Sequence, residues 1–80
     1  MSSNRITLNR LAVGDVATIA EVRADGPSKR RMLDMGLIRG ATIRMLRKAP
    51  LGDPIEFQVR GYSLSLRKSE CKQIDVEVEE

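Results

Sequence analysis

The sequence of 80 residues contains no histidine and no tryptophan, and its single cysteine is Cys71. Without histidine, the chain lacks the most common general base and the most common neutral metal ligand. One cysteine can form neither an internal disulfide nor a paired-cysteine zinc site, and a cysteine nucleophile here would have no imidazole to activate it. We therefore interpret Cys71 as a small, semi-buried residue of a protein from a reducing compartment.

Other signatures of chemistry are also missing. Neither the phosphate-binding pattern GxxxxGK[ST] nor GxGxxG occurs in the sequence. The acidic residues Glu77, Glu79 and Glu80 could in principle hold a hard cation, although an acidic terminus is in most proteins only solvated. We expect no enzymatic activity, no cofactor and no metal site.

No apolar run approaches the roughly 18–20 residues that a membrane-spanning helix needs. The first ten residues carry charges but no apolar stretch follows them, so a secretory signal peptide is not indicated. We expect a cytoplasmic location.

Aromatic residues are scarce, with one Phe and one Tyr, so aliphatic side chains and methionine must build the interior. A chain of this length buries only about 60–65% of its unfolded surface, which predicts a thin core. We predict a single domain over residues 1–80, with residues 1–5 frayed.

Charge is unevenly distributed along the chain. Residues 1–48 contain 10 Lys and Arg against 4 Asp and Glu, a net charge of +6, whereas residues 49–80 contain 4 against 7, a net charge of −3. Such a distribution can indicate an acidic partner, nucleic acid or a membrane surface, or it can simply solvate one side of a small barrel.

The clearest local pattern is an alternation of apolar and polar residues from Ile55 to Val59, which resumes from Tyr62 to Arg67. A period of two predicts strands with one buried face, and the two-residue step Arg60-Gly61 predicts a β-hairpin turn with Gly61 at positive φ.

The remaining elements follow from similar patterns. Met32, Met35, Leu33 and Leu37 are spaced to give one apolar stripe on a short helix that begins near Pro27 and ends at Gly36. Strands are predicted over Val16–Arg23, Ala41–Lys48 after a turn at Gly40, and Ile74–Glu79, with a single helical turn over Ser69–Lys72. Five short strands and one short helix predict a mainly β fold, a small, partly open SH3-like β-barrel.

The segment Ala49–Pro54 contains two prolines and one glycine, which predict a loop. Leu51 lies at its centre, where burial in the core is difficult. Two arrangements remain open: Leu51 is exposed and anchors a partner, or it folds back onto the mouth of the barrel.

Three stretches together resemble the FeoA family, the small cytoplasmic proteins of bacterial ferrous iron transport. They are RRMLDMGLIRG (30–40), RKAPLGDPIEF (47–57) and VRGYSLSLRKSE (59–70). Cys71 stands where the family often has alanine. The resemblance implies an SH3-like barrel and a partnership with FeoB, a membrane transporter of ferrous iron with a cytoplasmic guanine-nucleotide-binding part. It does not imply that the protein itself carries iron.

The leading hypothesis is a non-catalytic accessory protein that binds FeoB and supports or regulates iron uptake. The partner-binding residues proposed are Leu51, the loop residues Pro50, Gly52, Asp53 and Pro54, and secondarily Arg30 and Arg31. Two alternatives stay open. One is nucleic-acid binding through the basic first half, against which the scarcity of aromatic residues for base stacking counts. The other is a stand-alone regulatory domain that binds a proline-rich segment.

Overall fold

The computed structural model describes residues 3–79 and shows one six-stranded antiparallel sheet in the order β1-β6-β2-β3-β4-β5. The strands are β1 (Ser3–Thr7), β2 (Val16–Val22), β3 (Thr42–Lys48), β4 (Ile55–Val59), β5 (Tyr62–Leu66) and β6 (Ile74–Glu79). The fold also contains two helices, α1 (Gly26–Asp34) and α2 (Lys68–Cys71), and a 3-10 turn over Leu8–Arg10. Neither helix in the described part of the chain has the length and apolar character needed to cross a bilayer.

The mainly β class is confirmed, but the sheet has six strands rather than about five. The additional strand is β1, whose first residues the sequence predicts to be frayed. It pairs with β6 from Ser3↔Glu79 to Thr7↔Asp75. Ile6 packs against the core, and the other described residues of this strand, Asn4, Arg5 and Thr7, are polar, so the sequence of β1 does not indicate a strand without knowledge of β6. Residues 1 and 2 lie outside the described part of the chain.

Two irregularities in the strand pairing explain why β2 and β3 depart from strict alternation. The register between β2 and β6 shifts between Ile19 and Glu21, and Ile19, Ala20 and Val22 are all buried. The register between β3 and β4 shifts between Met45 and Arg47, which places Leu46 at the irregularity. An extra residue in one strand changes the face on which the following side chains lie.

The core is aliphatic except for Phe57, which has no solvent exposure. Phe57 stands opposite Met45 on β3 and Leu64 on β5, in the middle of the hairpin predicted from the sequence. The predicted alternation of β4 is confirmed, since Ile55, Phe57 and Val59 are buried and the residues between them are not. Apolar residues from the 3-10 turn, β2, β3, α1 and β6 close the rest of the core.

Helix α1 buries only part of the predicted stripe. Met32 and Leu37 are fully buried and Met35 packs partly against the core, but the predicted place of Leu33 in the stripe is wrong, because its exposure is 41%. Successive helical residues are about 100° apart, so a short helix that buries Met32 turns Leu33 toward solvent. The helix ends as predicted, with Gly36 at a φ of +92°.

The turn glycines Gly40 and Gly61 also have positive φ, as predicted for turn positions. In the β4–β5 hairpin, however, Arg60 shares this conformation, with a φ of +52°. Two consecutive residues at positive φ form the turn that matches the twist of a two-residue hairpin.

Gly36 is also sterically constrained by the β5 edge. The Tyr62 hydroxyl donates a hydrogen bond to the carbonyl oxygen of Met35, and a Cβ built on Gly36 would lie 2.6 Å from that hydroxyl oxygen. Gly40 has nearly the same φ, +90°, but a Cβ added there would meet nothing within 4 Å. The two glycines therefore differ in the space around them and not in their backbone conformation.

We expect Gly36→Ala to destabilise the domain more than Gly40→Ala. Both substitutions cost roughly 1–2 kcal/mol of stability because a residue with a Cβ is placed in the left-handed region. Gly36→Ala also disturbs the Tyr62 hydrogen bond, which lowers the stability by about 1–3 kcal/mol more. In a Tyr62→Phe background, Gly36→Ala should cost no more than Gly40→Ala. Urea unfolding followed by circular dichroism measures both, and equal effects of the two glycine substitutions in the wild-type background would contradict the steric explanation.

Candidate partner-binding site

The loop between β3 and β4 is closed by its own backbone. The Ala49 N–H donates to the Pro54 carbonyl oxygen at 3.0 Å, and the Gly52 N–H donates to the Ala49 carbonyl oxygen at 2.7 Å. The second bond closes a four-residue turn with Pro50 and Leu51 at its centre. Gly52 follows at a φ of +84°, a conformation that favours glycine because it has no Cβ.

Leu51 lies at the tip of this loop and is 97% exposed. Of the two arrangements that the sequence left open, the structure therefore shows the exposed one. No other large hydrophobic residue in the described part of the chain reaches this exposure; the next is Val13 at 60%. Burying a leucine side chain contributes roughly 2 kcal/mol, so an exposed one on a closed turn is a preformed anchor for a partner.

Asp53 fixes the loop to the rest of the domain. Its Oδ1 accepts a hydrogen bond from the backbone N–H of Lys68 at 2.9 Å, at the first residue of α2. In the same turn, Glu70 Oε1 accepts the Arg67 N–H at 2.9 Å. Because the loop is held at Asp53 and by its backbone bonds, Leu51 is presented by a rigid support, which reduces the entropy lost on binding.

Shallow grooves flank the loop on both sides. One, of about 550 Å³, lies between α1, α2 and the end of β5, and the other, of about 320 Å³, lies beneath the loop beside β3 and β4. Pro54 and Ser65 line both grooves, so the two are adjacent. None of the described residues that line them is aromatic.

The structure separates the two arginines proposed as secondary partner contacts. Arg31 forms an ion pair with Glu70 and lines the same groove as Pro54, so it lies near the end of the loop. Arg30 lines a different depression on α1, together with Lys29 and the exposed Leu33. A partner that covers the loop can reach Arg31, whereas contact with Arg30 requires a footprint that extends over α1.

Basic side chains surround the loop. Lys48 precedes it, Arg67 and Lys68 stand at the start of α2, and all three are exposed. Ion pairs in the described residues include Arg47 with Glu56, at 2.7 Å, but none for Lys48, Arg67 or Lys68. The apolar tip therefore has a basic border, and it fits an apolar pocket with acidic residues at its rim.

Cys71 lies beneath this region and is fully buried, rather than semi-buried as predicted. Burial raises the pKa of its thiol to about 12, and the negative charges of Glu70 and Asp53 add to the rise. A thiol with so high a pKa is neutral at physiological pH, and the thiolate is the reactive form. Cys71 is therefore a packing residue of α2.

We expect Cys71 to react with a thiol reagent such as DTNB at pH 8 on the order of 100-fold more slowly in the folded domain than in urea. Because the folded pKa is raised from 9.0 to about 12, this group stabilises the fold below pH 9 and loses that contribution as pH rises toward 12. The stability of a Cys71→Ala variant should fall less steeply above pH 9. Rapid labelling of the folded protein would contradict the burial of this thiol.

Among the side chains that the structure describes, residues 4–78, no three of His, Cys, Asp or Glu converge on a point where they could hold a metal ion. In the acidic C-terminal segment, Glu77 pairs with Arg5 at 3.5 Å. The Glu79 side chain and Glu80 lie outside the described part of the chain.

Two contacts that support the site were not predicted from the sequence. One is the hydrogen bond that the Lys68 N–H donates to Asp53, and the other is the hydrogen bond that the Tyr62 hydroxyl donates to the Met35 carbonyl oxygen. Asp between Gly and Pro is so common in turns that nothing in its neighbourhood indicates a partner 15 residues away. The tertiary arrangement alone brings these groups together.

Comparison with known proteins gives a consistent result. The model of the FeoA domain matches residues 6–78. A FeoA-like protein from Clostridium acetobutylicum with a solved structure is 44% identical, with a TM-score of 0.86 over 98% of this chain and 90% of that one. A Stenotrophomonas maltophilia FeoA solved with zinc and described as an SH3 domain protein is 32% identical, with a TM-score of 0.78 over 89% of this chain and 88% of that one. The predicted SH3-like barrel is therefore confirmed.

A curated relative is a fusion of an Fe(2+) transport protein A with an Fe(2+) transporter FeoB in Porphyromonas gingivalis. It is 38% identical over 71 residues, which cover 89% of this chain. The match spans 8% of that relative's length.

Proposed function

This chain belongs to the FeoA family, and on that premise we propose that it docks on the cytoplasmic part of a FeoB-type transporter and supports or regulates ferrous iron uptake. The observation that carries the proposal is Leu51, which is 97% exposed at the tip of a loop closed by its own hydrogen bonds. A rigid exposed leucine with no internal role is what a small docking module needs at the centre of its interface.

The fusion relative supports a partnership with the transporter. In Porphyromonas gingivalis one polypeptide contains a segment similar to this chain together with a FeoB transporter. A covalent link keeps two modules at a high effective concentration, so a contact between them can form even when its intrinsic affinity is low. We propose that this chain makes the corresponding contact with a FeoB-type transporter.

We further propose that the protein acts by contact and not by catalysis. The chain has no histidine, and its single cysteine is buried with a raised pKa. The loop presents an apolar tip at Leu51, and exposed basic residues lie near it, which suits recognition. Assays of nucleotide hydrolysis and of assembly of the transporter, with and without this protein, distinguish the two ways in which contact can act.

The alternatives receive less support from the site. Domains that bind proline-rich segments use grooves lined by aromatic side chains, and neither groove beside the loop contains one in the described residues. Recognition of single-stranded nucleic acid uses stacking on several aromatic rings, whereas Phe57 is fully buried, which leaves Tyr62, at 43% exposure, as the single ring available.

The experiment that tests the proposal is a direct titration of the purified chain with the purified cytoplasmic part of FeoB from the same organism. Isothermal calorimetry without nucleotide, with GDP and with a non-hydrolysable GTP analogue should show one-to-one binding in at least one state. We expect a dissociation constant on the order of micromolar, as for a small interface centred on one side chain. No binding in any nucleotide state, with both proteins folded, would remove the proposal.

A further inference from the structure

A second surface lies on the solvent face of the sheet, near the start of β3. Val16 stands opposite Arg44, Arg44 opposite Gln58, and Gln58 opposite Ser63. Residues that pair across antiparallel strands place their side chains on the same face, so these four side chains form one row across β2, β3, β4 and β5.

The row borders a concave depression of about 340 Å³ at the β4–β5 turn. Its lining combines one apolar side chain with polar and basic ones and includes no carboxylate among the described residues: Val16, Thr42, Arg44, Gln58, Arg60 and Gly61. Val16 is 43% exposed and contributes the apolar part of this surface. The depression therefore offers two guanidinium groups, an amide, a hydroxyl and a small apolar surface.

The charge of this surface is not neutralised within the domain. Arg5, Arg23, Arg31 and Arg47 each form an ion pair with a carboxylate. In the part of the chain that the structure describes, Arg44 and Arg60 form none. Two arginines that line one depression without a carboxylate in its described lining make the local potential positive, which favours an anionic ligand.

Arg60 occupies a position that the turn does not favour for arginine. Its φ of +52° belongs to the left-handed region, where two-residue hairpin turns usually carry Asn, Asp or Gly. Its side chain lies at the edge of the same depression as Arg44. Local propensity does not explain this arginine, whereas a ligand of opposite charge does.

We propose that this depression, which we call the arginine cradle (Val16, Thr42, Arg44, Gln58, Arg60 and Gly61), binds an acidic peptide segment of a partner protein. Arginine matches carboxylate geometry through paired N–H donors, and Thr42 and Gln58 can bond the peptide backbone. Val16 provides a contact for an aliphatic side chain between the acidic residues. The combination of donors for carboxylates, donors for a peptide backbone and one apolar contact suits an extended acidic segment, and no aromatic ring lines the cradle to stack a nucleotide base.

The arginine cradle is separate from the Leu51 loop. Arg44 lies near the start of β3 and Arg60 follows the end of β4, whereas the loop joins the opposite ends of these two strands. Binding at the cradle therefore does not depend on the docking proposed for Leu51, and each can fail without the other.

Fluorescence anisotropy with a labelled poly-L-glutamate peptide at low salt tests the assignment in the full chain. We expect wild-type protein to bind and the double variant Arg44→Gln/Arg60→Gln to bind at least roughly tenfold more weakly. The control is Lys29→Gln/Lys72→Gln, which removes the same charge at exposed positions outside the cradle and should retain wild-type affinity. Circular dichroism establishes that all three proteins are folded.

Three results would overturn the proposal. An equal loss in the lysine control would reduce the effect to net charge, and no binding by the wild type would leave no effect to assign. The third is tighter cradle-dependent binding to vesicles that contain phosphatidylglycerol, or to single-stranded RNA, than to poly-L-glutamate. That result would assign the surface to a lipid or a nucleic acid.

Discussion

Replacing Leu51 with glutamate is expected to weaken binding to the cytoplasmic part of FeoB by at least roughly 30-fold. The change removes about 2 kcal/mol of apolar burial and places a charge where the partner offers an apolar pocket. The fold should be unaffected, because Leu51 is 97% exposed and makes no contribution to the core. Titration calorimetry measures the affinity, and ferrous iron uptake in cells measures the consequence.

The matched control is Val13→Glu, which introduces the same charge at an apolar residue that is 60% exposed outside the loop. It should bind the partner as the wild type does. Leu51→Ala should give an intermediate loss, since it removes burial without adding charge. Full uptake by a folded, normally expressed Leu51→Glu variant would exclude the loop from the mechanism.

Replacing Phe57 with alanine is expected to remove a large part of the domain's free energy of unfolding. Phe57 is the largest fully buried side chain, and Phe→Ala substitutions in cores cost roughly 3–5 kcal/mol. A domain of this size has a total stability of about 4–12 kcal/mol, so the loss approaches the lower end of that range. Urea unfolding followed by circular dichroism gives the difference in free energy directly.

The conservative variant Phe57→Leu separates volume from aromaticity. It retains most of the side chain and should cost less than about 1.5 kcal/mol, because the neighbours on β3 and β5, Met45 and Leu64, can repack around it. A Phe57→Ala variant destabilised by less than about 1 kcal/mol would show that the core does not depend on this ring.

The elements of this fold that carry a strong internal pattern could be predicted from the sequence. The β4–β5 hairpin follows from alternation around Arg60-Gly61, and the end of α1 follows from Gly36. Both depend on residues close in sequence. Strand β1 could not be predicted in this way, because it depends on pairing with β6 about 70 residues away.

The candidate site shows the same division between local and tertiary information. The turn at Pro50 and Gly52 follows from local residue preferences, but whether Leu51 is exposed depends on what lies beneath the loop. The sequence does not reveal the exposure of Leu33, because two apolar pairs at helical spacing are compatible with one face. Only the packing of α1 shows that Met32 faces the core and that Leu33 does not.

The direct test is a nuclear magnetic resonance titration of the ¹⁵N-labelled chain with the unlabelled cytoplasmic part of FeoB. If this protein works by presenting one leucine on a rigid barrel, the largest amide shifts and line broadening will centre on Leu51 and Gly52 and extend to Lys68 and Arg31. Perturbations confined to other surfaces, with residues 50–54 unchanged at saturation, would contradict that account.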